Sequence, residues 1–95
     1  MIVLIKSSPD TSEGQRGVKI ARGMSADVVL LQNGVYFLRG RKLEDLGFYR
    51  TVYVLADDVR LRGLKTAYAD RDIKNIDYDS LIDLMADSDK VTGMF

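Results

Sequence analysis

Apolar residues in this chain come in short unbroken runs rather than in alternation with polar ones. Ile2-Val3-Leu4-Ile5, Val28-Val29-Leu30-Leu31 and Val52-Tyr53-Val54-Leu55 are each four residues long, and Ile73 to Ile76 is a weaker fourth. Such runs are the habit of strands buried on both faces, as in a parallel sheet. The segments between them are long enough for crossover helices. The first helix is expected over residues 10–24, with Asp10 and Glu13 as a capping box and Ile20 and Met24 on one face. Gly14 and Gly17 lower its intrinsic propensity by roughly 1 kcal/mol each, so Gly17 is expected to let the helix sit close to the sheet. Residues 34–47, interrupted by Gly40 and Gly47, predict a short helix plus loop. A third helix is expected from Asp57 or Asp58, whose carboxylates suit an N-terminus, to a stop at Gly63-Leu64. The fourth is the clearest. Tyr78, Leu81, Ile82 and Met85 recur at helical spacing behind Asp77 or Asp79 as cap.

The order β-α-β-α-β-α-β-α, with right-handed crossovers, predicts an α/β three-layer sandwich. It has a mostly parallel sheet of about four strands and helices on both faces. In such sheets ligands gather beyond the carboxyl ends of the strands. Those ends are Lys6-Ser7-Ser8, Gln32-Asn33-Gly34, Ala56-Asp57-Asp58 and Asp77. No repeat or linker divides residues 1–95, so a single domain is expected.

Composition narrows the chemistry. There is no Cys and no His, which rules out a Cys/His zinc site, a Ser-His-Asp triad and a thiolate nucleophile on this chain. The 14 basic and 14 acidic residues cancel, unlike a chain built to coat nucleic acid. The cancellation hides an asymmetry. Residues 1–65 carry 11 Lys/Arg against 7 Asp/Glu, whereas residues 66–95 carry 3 against 7. The opening apolar run ends at Lys6 and Pro9, too short for a signal peptide, and no stretch approaches the roughly 20 apolar residues that span a membrane. A cytoplasmic protein is expected.

Several local patterns bear on function. Gly14-Gln-Arg-Gly17 lacks the Gly-Lys-Ser/Thr ending of a phosphate loop and reads as helix packing. Asp57-Asp58 could bind a metal or act as a base, but neighbouring helical residues diverge, and capping is the simpler reading. Asp70, Asp72, Asp77 and Asp79 fail as a calcium loop, having neither the turn glycine nor the terminal Glu. Arg39-Gly-Arg41-Lys42, with Arg60, Arg62 and Lys65 further along, could touch phosphate but reads as a solvated loop. Gln32-Asn33-Gly34 follows strand two. Asn-Gly tolerates φ > 0, with Gly34 the expected position, and Gln32 would set an amide at the ligand edge.

Val29-Leu-Leu-Gln-Asn-Gly-Val35, Val52-Tyr-Val-Leu-Ala-Asp-Asp58, Arg62-Gly-Leu64 and Ile76-Asp-Tyr78 opening an acidic-apolar last helix together resemble the TusB/DsrH family. Ser8-Pro9 after strand one and the aromatic Phe95 also fit. The resemblance covers nearly the whole chain and implies a DsrE/F/H-like fold. It also implies a place in a sulfur-relay complex. TusB joins TusC and TusD in passing persulfide sulfur toward tRNA 2-thiouridine synthesis, the transferring cysteine lying on TusD, and DsrH does the matching job in sulfur oxidation. Some DsrH members carry a cysteine in the first helix, and this chain has none.

The leading expectation is therefore a non-catalytic subunit of a TusBCD/DsrEFH-type assembly, not an enzyme, with no catalytic residue, no metal and no cofactor. Its partners would be of the DsrE/DsrF (TusD/TusC) type, or further copies of itself, with neither a membrane nor direct nucleic-acid contact. Ser7, Ser8, Gln32, Asn33, Gly34, Asp57 and Asp58 are the candidate partner- or ligand-binding residues. The rivals are a homo-oligomeric small-ligand or anion-binding module and an enzyme using Asp57 or Asp58.

Overall fold

The computed structural model describes residues 1–40, 42–65 and 72–95; Arg41 of the basic cluster and Asp70 of the discarded calcium pattern lie outside them. The apolar runs become strands β1 (Ile2–Ile5), β2 (Asp27–Leu30), β3 (Val52–Leu55) and β4 (Ile73–Ile76). A two-residue strand β5 (Val91–Thr92) joins them. All pairings are parallel, in the order β4-β3-β2-β1-β5. Among the described residues the sheet thus has five strands where about four were expected. Val91-Thr92 is too short to show as an apolar run and is a strand because it pairs with Ile2 and Val3.

Strand order dictates the layers. From β1 to β4 the chain steps in one direction, so right-handed connections place their intervening segments on one face. Helix α1 (Ser12–Gly23), the 3-10 segment Gln32–Leu38, α2 (Lys42–Asp45) and α3 (Ala56–Leu61) connect these strands. Their buried residues Val18, Ala21, Val35, Phe37, Leu38, Leu43 and Val59 pack with Val3, Ile5, Val28, Leu30, Val52 and Val54. The return from β4 to β5 runs the other way, and its helix α4 (Tyr78–Asp87) covers the opposite face. There Leu81 meets Ile2, Leu4, Val29, Leu31 and Leu55.

Local details depart from expectation at three places. Thr11, not Asp10, caps α1: its hydroxyl accepts from the Gly14 amide at 3.1 Å. Helix α3 begins at Ala56 without a side-chain cap, so Asp57 and Asp58 lie in its first turn. On α4 the inward face centres on Leu81, Leu84 and Met85, leaving Tyr78 53% and Ile82 62% exposed. Leu84 and Met85 lie either side of Leu81, whereas Ile82 is about 100° round the helix from it, beyond the edge of that face. Of the two expected candidates, Asp77 and not Asp79 caps α4, accepting from the Ser80 amide at 2.7 Å. That bond, and then the Ser80 hydroxyl, hold its pKa below the usual carboxylate value. Gly14 and Gly17 are packing residues. A Cβ at Gly17 would lie 2.9 Å from Ile5 and Phe95, and one at Gly14 would lie 2.9 Å from the Ser7 carbonyl oxygen.

Candidate functional site

The carboxyl ends of β1 and β2 open into a cleft of about 500 Å³. One wall is the loop Ser8-Pro9-Asp10, held by hydrogen bonds from the Thr11 amide and hydroxyl to the Ser8 carbonyl at 3.1 and 2.7 Å. The other wall is the 3-10 segment and the turn after it, which contribute Asn33, Tyr36, Arg39 and Lys42. A second hollow of about 370 Å³ adjoins it through Pro9, Asp10 and Lys42 and is floored by Phe37 and Leu46.

The 3-10 segment reaches this position through an unusual start. Gln32, not Gly34, adopts the left-handed conformation, at φ 50°. That geometry costs a side-chain-bearing residue roughly 1–2 kcal/mol. The Gln32 amide donates to Asp58 Oδ2 at 2.7 Å, and the Asp58 side chain is nearly buried. Arg62 Nη1 lies 3.5 Å from the other Asp58 oxygen, and Arg62 Nε donates to Asn33 Oδ1 at 3.1 Å. The chain of contacts Asp58–Arg62–Asn33 therefore ties α3 to the cleft wall. With Oδ1 engaged, the Asn33 amide nitrogen has no acceptor among the described residues.

Gly34 serves a different purpose from the one its Asn-Gly context suggests. The segment passes directly over β1. A Cβ at Gly34 would lie 2.9 Å from the Ile5 carbonyl carbon and closer still to its oxygen. Close approach, not positive φ, demands glycine here.

Of the seven residues singled out by sequence, Ser8 and Asn33 meet across the cleft. Asp58 and Gly34 lie beneath it as supports. Ser7 donates its amide, as Lys6 does, to the Phe95 main-chain oxygen, at 3.0 and 2.6 Å. Gln32 is exposed and its side chain is not part of the cleft wall. Asp57 points to solvent, paired with Arg60 on its own helix. The two Asp side chains do not converge, as expected of neighbours on a helix. Tyr36, Arg39 and Lys42 are cleft residues that no local pattern marks as such. The basic cluster that holds two of them reads as a solvated loop until the β1–α1 loop is seen opposite. Among the described residues no group of three or more His, Cys, Asp or Glu could hold a metal ion, and no helix is long and apolar enough to cross a membrane.

The solution NMR structure of protein Tm0979 from Thermotoga maritima is similar to this chain, with a TM-score of 0.64 and 27% sequence identity. The match covers 95% of this chain and 97% of that one. No curated protein matches. The family described as DsrH like protein matches residues 8–91, and the chain belongs to that DsrH-like family of sulfur-relay proteins.

Proposed function

We propose that this protein is a non-catalytic subunit of a TusBCD/DsrEFH-type assembly, cytoplasmic, whose task is to complete the surroundings of a partner's sulfur-carrying cysteine. The observation that carries this reading is a DsrH-family chain of 95 residues with no cysteine. Sulfane sulfur is carried by thiolate attack, and no side chain here can perform it. Supporting a subunit role, α4 keeps Tyr78 and Ile82 exposed among Asp77, Asp79 and Asp83, an apolar strip with an acidic border. The specific destination we propose for the sulfur is tRNA 2-thiouridine.

The test is affinity purification of the full chain from its native cells, with partners identified by mass spectrometry. A cysteine-bearing partner of the DsrE/DsrF (TusD/TusC) type is expected. Ile82→Lys should reduce its recovery while changing stability by no more than about 0.5 kcal/mol, as exposed substitutions do. Thiolation of tRNA should fall in cells lacking the gene. Reductant-labile sulfur recovered on this chain itself would overturn the non-catalytic role.

A second reading, a homo-oligomeric module for a small ligand or anion, is favoured by one observation, the donor-rich cleft. Self-association in sedimentation, without any DsrE-type partner in the purification, would favour it over the first.

A further inference from the structure

We propose that the cleft between the Ser8-Pro9-Asp10 loop and the 3-10 segment binds a small molecule carrying a tetrahedral oxyanion, such as a phosphate or sulfate group. This deepens the second reading above by naming a ligand class, and it holds whether or not the protein also serves in a relay.

Hydrogen-bond donors dominate the lining. Arg39 and Lys42 both line the cleft, and neither has an ion-pair partner among the described residues. Arginine and lysine are donors only. The Asn33 amide nitrogen is an unused donor because Arg62 occupies its oxygen. Tyr36 and Ser8 add hydroxyls that can donate. Against these five the described residues of the cleft set one acidic group, Asp10, on the loop side, with Asp45 in the adjoining hollow. Such a lining is complementary to a ligand presenting several acceptor oxygens and negative charge. The position agrees, since it lies beyond the carboxyl ends of parallel strands, where backbone and side chains are free of the sheet. The wall is also stiffened from behind, because Asp58 and Arg62 fix the 3-10 segment at Gln32 and Asn33. The adjoining hollow over Phe37 and Leu46 leaves room for an organic body attached to the anion.

The test is a two-dimensional amide NMR titration of the full chain with sodium phosphate, sodium sulfate and AMP, ionic strength being held constant with chloride. Saturable shifts are expected at Ser8, Asn33, Tyr36 and Arg39. In the double variant Arg39→Gln/Lys42→Gln the affinity should fall about tenfold or more, the effect of losing charge-assisted hydrogen bonds. Both residues are exposed, so an otherwise unchanged spectrum verifies the fold of the variant. AMP binding tighter than phosphate would assign the site to phosphate esters; equal binding would assign it to the free ion. Either supports the proposal. Absence of saturable shifts up to about 20 mM ligand, weaker than any useful affinity, would overturn it. So would shifts that persist undiminished in the double variant. A chain that binds no oxyanion yet recovers its DsrE-type partner leaves the relay reading intact, and the converse result leaves this one intact.

Discussion

Gly34→Ala is expected to be among the most damaging single substitutions in the protein, costing about 3 kcal/mol or more. The added methyl would meet the Ile5 carbonyl, a main-chain group in the buried strand β1. A flexible side chain could swing aside, but a strand carbonyl cannot move without disturbing the pairing of β1 with β2 and β5. Gly40→Ala is the control. Gly40 has a positive φ of 64°, and a methyl group added there would have nothing within 4 Å. Only the conformational penalty then applies, about 1 kcal/mol. Urea unfolding of the two variants separates these causes. Equal losses would show that Gly34 is a conformational glycine after all.

Asp58→Ala should cost about 3 kcal/mol, the range seen when one member of a buried pair is removed. Its carboxylate is the acceptor for the Gln32 amide and the counter-charge for Arg62, which is itself mostly buried. Alanine would leave both without that partner while Gln32 remained in its left-handed conformation. Asp58→Asn keeps an acceptor oxygen for Gln32 and should lose about half as much. The consequence should extend to the cleft, because Arg62 would be held against Asn33 only through its bond to the Asp58 main-chain carbonyl at 3.4 Å, without the carboxylate. Amide shifts at Asn33 and Tyr36 should therefore move in Asp58→Ala even in native conditions. A variant within about 0.5 kcal/mol of the parent, the range of an ordinary surface change, would mean that Asp58 is not the anchor of this segment.

Gly34 and Asp58 both stand out along the chain, and both for reasons that the fold replaces. Asn-Gly is a turn signal, so positive φ is the expectation at Gly34. The left-handed residue is instead Gln32, two places earlier, and it is tolerated because a carboxylate 26 positions away accepts its amide. No local pattern encodes such a partner. Asp58 reads as a helix cap, since acidic residues at a helix start usually are, but one of its oxygens accepts from the neighbouring loop, the other faces Arg62, and neither caps the start of its own helix. The cleft illustrates the same limit. Ser8 and Asn33 are visible as strand-end residues. Arg39 and Lys42 read as solvated charge because nothing local says what lies opposite them.

Local pattern is sufficient for the four main strands, their parallel character and the crossovers between them. Each rests on a run of apolar residues or a spacing between near neighbours. Composition by itself removes thiol and imidazole chemistry. The cap of α4 and the close packing of Gly17 on the sheet are likewise readable from residues adjacent along the chain. The fifth strand is not, since Val91-Thr92 becomes a strand by pairing with β1 rather than by propensity. Nor is the buried side of α4. Tyr78, Leu81, Ile82 and Met85 span a stripe wider than the sheet covers, and the docking of Leu81, Leu84 and Met85 selects the part that faces inward. The cleft belongs to the same class. Its walls come from segments about 25 residues apart, brought together because adjacent parallel strands end side by side, and that proximity exists only once the sheet has formed.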